Sequence, residues 1–367
     1  MNAAVFYGSN NIQIKDIDIL KRSNHNNDDY LLKVLSASVC SYDVRTFRNG
    51  HFKVTPPIIL GHEICAQIID EYQSKNLLIK PKSRVSIYPI IPCNACWYCA
   101  HKKYNLCINL KEIGSTLNGG FAEYILVPKT VFEIGGIIPV LDNVSNEEAC
   151  LIEPLACCIN GINQVKNLEF DSVIIIGDGP IGLMQLLLIK KILSKNVTII
   201  GKIPHRLESA KKLGADYTLL INEKNNDNDN DNNNNIFEKY KKLIKNTSSE
   251  FSPNLIFISN NNAGSLNLAL KLVNKNGLII IFSGIKNQNA DNKGMINIDP
   301  NFIHYNQISI FGSFSSTPKA INDAMNLINS KEIDLKEIIT KKFSLFEIEE
   351  ALQATESFKG FKSIINN

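Results

Sequence analysis

Cys93, Cys96 and Cys99 stand at intervals of three, and Cys107 follows eight residues later. Thiolates so spaced can fold round one ion as a tetrahedral Cys₄ site. Such a site is closed: it offers no position to a substrate, and its binding energy appears as folding energy. The plainer alternative is four buried thiols in a loop, and a redox C-x-x-C would leave two cysteines unexplained. A second group is more scattered, with Cys40 followed by His62 and Glu63 in the run Gly61-His62-Glu63. One thiolate, one imidazole and one carboxylate are the donor types of catalytic zinc, three from protein with a further position left open. Singly, each has a bland reading: Cys40 as a small core residue, His62 as a hydrogen-bonded core histidine, Glu63 as a surface acid. Gly177-Asp178-Gly179-Pro180-Ile181-Gly182 is a G-x-G-x-x-G turn. Its first glycine permits a tight turn, its second lets backbone approach a pyrophosphate, and its third lets helix pack on strand. Gly177, Gly179, Pro180, Ile181 and Gly182 are therefore expected to bind a dinucleotide, the alternative being an ordinary strand-to-helix turn.

These residues need elements to hold them. Val173 to Ile176 is a β-branched run that reads as a buried strand, and Leu183 to Leu193, with Lys190, Lys191 and Lys195 towards its end, reads as a helix. Val197 to Ile200 follows as a second strand. The position ~20 residues after the glycine turn normally carries the acid that binds the adenosine ribose 2′-hydroxyl of NAD. Here it is Gly201, followed by Lys202, His205 and Arg206. Loss of the carboxylate and gain of cations point to NADP over NAD, with Gly201, Lys202 and Arg206 at the 2′-phosphate; a solvated basic loop is the alternative. Asp216 to Asn222, Leu255 to Ile258 and Leu278 to Phe282 read as further strands, and Ile236 to Lys245 and Ala263 to Val273 as helices. That alternation suits a doubly wound sheet. Residues 225–235 are almost purely Asn and Asp, which cannot bury enough apolar surface to offset ordering, so a surface insert is expected there.

The first ~150 residues instead read as short strands and turns. Pro56-Pro57 forces an extended approach to Gly61-His62-Glu63, and Ser41 to Arg45 begins a helix just after Cys40. His25, in the polar run Ser23 to Asp29, reads as a solvated loop residue. The whole chain has 367 residues, 44% hydrophobic and 20% charged, with a formal net charge of +3. That length allows two domains with their own cores, and the balance gives no sign of a nucleic-acid partner. No basic segment followed by a long apolar one stands at the start, and no apolar run approaches ~18 residues, so a cytoplasmic protein that neither enters nor binds a membrane is expected. With nine cysteines and no leader, metal binding is favoured over disulfides.

Cys40, Gly61-His62-Glu63, the Cys93/Cys96/Cys99/Cys107 spacing, Gly119-Gly120-Phe121-Ala122-Glu123-Tyr124, Glu153-Pro154-Leu155-Ala156 and the glycine turn occur in one order. In order and spacing the chain resembles the zinc-dependent medium-chain dehydrogenases, most closely their polyol branch, with sorbitol (L-iditol) and threonine dehydrogenases as relatives. The resemblance runs over nearly the whole chain. It implies an α/β protein: a GroES-like β-barrel catalytic domain over 1–155, completed by 314–367, and a doubly wound Rossmann domain over 156–313, meeting at a cleft that holds zinc. It implies one structural zinc, and one catalytic zinc bound by Cys40 and His62 with Glu63 or Glu153 as the carboxylate partner. It places Ser283 and Ser313 beside the nicotinamide half of NADP or NAD, and suggests a homodimer or homotetramer. The implied activity interconverts a secondary alcohol, such as a polyol or cyclitol, and a ketone. A threonine or amino-alcohol dehydrogenase and a non-catalytic zinc-binding protein of the same fold are the alternatives. Relatives carry Ser or Thr two residues after the first zinc cysteine, as a proton relay; this chain has Tyr42. Tyr42 either relays through its phenol, with Arg45 lowering its pKa or holding a substrate hydroxyl, or serves as barrel packing.

Overall fold

The computed structural model describes residues 1–18, 29–73, 78–221, 236–240, 242, 254–285 and 296–367. The Asn/Asp run at 225–235 and His25 lie outside the described residues. Two units emerge, Met1–Cys157 together with Ser316–Asn367, and Cys158–Ser315.

The first unit is built on a seven-stranded sheet. Its long central strand, Asp29–Ser38, pairs antiparallel with Glu63–Ile68, with Tyr124–Pro128 and with Lys362–Asn366. Arg84–Ile87 and Ile137–Pro139 continue the sheet beyond Glu63–Ile68, and Ile339–Ser344 lies parallel to Lys362–Asn366 at the other side. Glu63–Ile68 and Lys362–Asn366 are buried over almost their whole lengths, as expected of strands covered on both faces. Register sets the site. Ser38 stands opposite Glu63 on one neighbour and opposite Ile364 on the other, which brings the start of the final strand beside Glu63. Just past the central strand, Cys40 is the N-cap of the helix Ser41–Asn49, and its backbone N–H donates to Asp43 Oδ2 at 2.8 Å. A carboxylate three residues past the cap satisfies a donor the helix start leaves unpaired, and fixes the cysteine's backbone.

The second unit is a six-stranded parallel sheet in the order Tyr217–Leu220, Asn196–Gly201, Ser172–Ile176, Leu255–Ile258, Leu278–Ile281, Ser309–Gly312. Sequence order reverses direction at Ser172–Ile176, the place where open α/β sheets bind ligands at their strand ends. Buried Ile174, Ile176, Ile256, Ile258 and Ile279 carry the core on one face of this sheet, with Leu266, Ala269 and Leu272 packed over them from the helix Gly264–Leu272. The doubly wound reading holds, with differences in detail. The helix after the glycine turn begins at Pro180 rather than Leu183, because proline at the first helical position has no N–H to satisfy. It is α-helical to Leu188 and closes with a π-helical turn over Ile189–Leu193. The third strand is Tyr217–Leu220 alone, since Asp216 is occupied in accepting from the backbone N–H of Val197 and from Lys190.

Candidate metal centres and dinucleotide turn

The four cysteines of the 93–107 loop converge. Their sulfurs all lie within 4.8 Å of one another, with Sγ–Sγ separations of 4.0 Å for Cys93–Cys99, 3.4 Å for Cys96–Cys99 and 3.9 Å for Cys96–Cys107. Four thiolates about 2.3 Å from a tetrahedral zinc would stand roughly 3.8 Å apart, so the residues fit the ion. Backbone N–H groups, first that of Ile108 and then that of Cys99, stabilise the Cys96 thiolate and lower its pKa to about 6, whereas burial pushes Cys99 up to about 12. All nine cysteines are free of disulfides.

Cys40 Sγ, a ring nitrogen of His62 and a carboxylate oxygen of Glu63 likewise fall within 4.8 Å of one another. Asp43 lies behind the histidine, its Oδ1 3.6 Å from His62 Nδ1. Burial alone would lower the His62 pKa; the Asp43 charge and then Cys40 outweigh it and hold the imidazole well above its usual range. A carboxylate behind Nδ1 orients the ring and leaves the other nitrogen to a metal. Glu63 is claimed already, because Lys362 Nζ donates to both its carboxylate oxygens, at 2.5 and 2.6 Å, with both side chains buried. Burial would strip the proton from Lys362, but Glu63 overrides it and raises the ammonium's pKa. Glu153, in the first turn of the helix Ile152–Asn163, is the uncommitted carboxylate. It accepts a weak bond from Cys157 Sγ at 3.2 Å, and burial, opposed by the nearby His62 charge, pushes its pKa up to about 7.

Tyr42 is half-buried, with its hydroxyl 2.9 Å from Ser115 Oγ and 3.2 Å from His51 Nδ1. Its ring meets those of His51 and His62 edge to face. The expected lowering of its pKa by Arg45 is corrected. Burial raises the phenol's pKa, the Ser115 bond only partly offsetting it, while Arg45 is exposed and acts on His51 instead. Asp43, His51, Ser115 and Lys362 went unread in the sequence. Asp43 carried a signal, an acid three residues past a helix cap, and so did Lys362, a cation flanked by the apolar Phe361, Ile364 and Ile365.

In the second unit, Gly177 has φ 141°, and a Cβ there would lie 2.7 Å from Ser259 O; a Cβ on Gly182 would lie 2.1 Å from Gly177 O. Neither position admits a side chain. Gly179 is different, since the nearest atom to a Cβ there is Arg206 Nη1 at 4.0 Å, so its backbone is open to an approaching pyrophosphate. Ser313 sits after the strand Ser309–Gly312, its Oγ buried without a hydrogen-bond partner among the described residues, and Ser283 lies just past Leu278–Ile281. Lys202 and His205 are exposed, whereas Arg206 is buried. The open cradle at Gly179 and the orphaned Ser313 hydroxyl fit a dinucleotide.

The family profile "Alcohol dehydrogenase GroES-like domain" matches residues 26–135, and "Zinc-binding dehydrogenase" matches residues 180–330. A D-arabitol-phosphate dehydrogenase from Enterococcus avium is 31% identical over 343 residues, 93% of this chain and 90% of that enzyme. A sorbitol dehydrogenase from Bacillus subtilis (strain 168) is 29% identical, over 98% of this chain and 94% of its own. An alcohol dehydrogenase structure from Thermotoga maritima superposes with a TM-score of 0.85 at 23% identity, over 100% of this chain and 98% of that one, which establishes the shared fold. A GroES-like unit, a zinc-binding dehydrogenase unit and a relative at 31% identity over nearly full length place this chain in the zinc-dependent medium-chain polyol dehydrogenase family.

Proposed function

We propose that the chain oxidises one secondary hydroxyl of a polyol, cyclitol or similar substrate to a ketone, and runs the reverse reduction, at the Cys40–His62 centre. The observation that supports this is the convergence of Cys40, His62 and Glu63 on one point; with Glu63 engaged by Lys362, we take Glu153, which feels the His62 charge, as the third donor, leaving one position for a substrate oxygen. Zinc held there would supply Lewis-acid polarisation of that oxygen. Cys40 is fixed by its cap position and His62 by Asp43. Tyr42 takes the proton leaving the substrate hydroxyl at its phenol oxygen and hands its own on to His51 Nδ1 or Ser115 Oγ. Gly177, Gly179, Pro180, Ile181 and Gly182 would hold a dinucleotide, with Ser283 and Ser313 at its nicotinamide end, and its nicotinamide would supply the hydride acceptor. The Cys93/Cys96/Cys99/Cys107 zinc serves folding alone. Among the described residues no helix is long and apolar enough to cross a membrane. We place the enzyme in the cytoplasm as a homodimer or homotetramer.

The test is a panel of polyols, cyclitols and amino alcohols, each with NAD and NADP, followed by nicotinamide absorbance. Turnover of a polyol or cyclitol is the expected result. Turnover of amino alcohols alone would move the assignment to a threonine-type dehydrogenase, and absence of turnover by zinc-replete protein would sink it.

A further inference from the structure

In doubly wound folds the acid that reads the adenosine ribose stands at the end of the second strand, where this chain has Gly201. The place is filled from the opposite side. Asp178, the second residue of the glycine turn, is only 9% exposed, and its Oδ2 accepts from the backbone N–H of Lys202 and of Ile203, each at 2.8 Å. A Cβ built on Gly201 would lie 2.4 Å from Asp178 Oδ2 and 2.5 Å from its Cβ and Cγ. A side chain at 201 and the carboxylate of Asp178 therefore exclude each other. We infer that Asp178 is the ribose-reading acid of this chain, transferred from the strand end to the glycine turn, and that the cofactor it selects is NAD rather than NADP.

The inference rests on the dinucleotide reading above and names which dinucleotide. An ionised carboxylate offers about four acceptor sites, and the two amides use two, so capacity remains for ribose hydroxyls. A 2′-phosphate would instead bring close to two negative charges against a fixed anion, and like charges brought together with little water between them repel strongly. The basic residues do not reverse this. Arg206 is 4% exposed and electrostatically coupled to Asp178, whose charge opposes the lowering of its pKa by burial. Arg206 is thus held inside the fold facing the Asp178 charge, which only partly offsets its burial, and is not offered to solvent. Lys202 is exposed, and its backbone N–H, one of the donors a phosphate at the strand end would meet, is bonded to Asp178. The loss of an acid at Gly201 argues for NADP only while residue 178 is left out.

The test is equilibrium binding without substrate, titrating the zinc-replete full chain with NADH and with NADPH and following nicotinamide fluorescence. NADH should bind at least tenfold more tightly. Asp178→Asn keeps the side-chain shape and an oxygen to accept from the amides, so its melting curve should stay close to the parent's. It should weaken NADH about tenfold and narrow the gap to NADPH. The double variant Asp178→Gly/Gly201→Asp, which removes the Cβ that a side chain at 201 would meet and returns the acid to the strand end, should restore the preference for NADH. Parent protein that binds NADPH as tightly as NADH, or an unchanged ratio in Asp178→Asn, would overturn the transfer while leaving the dinucleotide site standing. Failure to bind either dinucleotide would overturn the dinucleotide reading, and this assignment with it.

Discussion

The four cysteines between 93 and 107 come from a single loop, whereas Cys40, His62, Glu63 and their attendants are drawn from segments as far apart as Asp43 and Lys362. In the loop, sulfurs answer to sulfurs and to the backbone N–H groups of Ile108 and Cys99. In the scattered centre two residues answer to side chains that are not ligands: His62 to Asp43, Glu63 to Lys362. A closed site can be assembled locally because it has only to close. A site that leaves a position open must be kept from closing on its own groups, and that work falls to residues from elsewhere in the fold.

The comparison breaks first, and most widely, at Cys96. Cys96→Ser should abolish the loop's zinc and with it the cooperative melt of the first unit, because structural zinc in small domains contributes on the order of 10 kcal/mol. His62→Ala should leave that melt within a few degrees of the parent's while turnover disappears. Metal analysis should give two zinc per chain in the parent and one in His62→Ala. Equal loss of stability in both variants would erase the distinction between the centres.

The loop was fully legible in the sequence because its spacing is its geometry. The parallel sheet was legible for a similar reason: runs such as Val173 to Ile176 and Leu255 to Ile258 are short, apolar and regularly separated. Cys40, His62 and Glu63 were nameable as donors, but spacing along the chain could not say which carboxylate is engaged. Lys362 claims Glu63 through a strand register spanning 299 residues. Tyr42 could be singled out in the sequence, yet its partners Ser115 and His51 come from folding. Asp178 sat in plain view inside the glycine turn, and only the distance to Gly201 gives it meaning.

A smaller effect sharpens the comparison at Lys362. Lys362→Met leaves Glu63 buried without its counter-charge, a change that costs about 3–5 kcal/mol when one member of a buried pair is removed. Adding Glu63→Gln should recover most of that loss in a denaturant titration, as no bare charge is then left inside. If Lys362→Met alone costs less than about 1 kcal/mol, the pair is not what keeps Glu63 in place.

Smaller again is Tyr42→Phe, which keeps the ring against His51 and His62 and removes one oxygen. Turnover should fall roughly 10²-fold with the melting temperature almost unchanged, the usual scale for a lost proton-transfer group. Turnover within a few-fold of the parent would make Tyr42 barrel packing.

The final strand, Lys362–Asn366, pairs with Asp29–Ser38 near the other end of the sequence and brings Lys362 to Glu63. During synthesis, Glu63 is made 299 residues ahead of its cation. At about 5–20 residues per second, the ribosome takes roughly 15–60 s to cover that distance. Through that interval the first unit lacks its last strands and Glu63 its counter-charge, while the second unit, contiguous from Cys158 to Ser315, emerges whole. The unit begun first is thus the one finished last, and its buried ion pair is among the last contacts the chain can make.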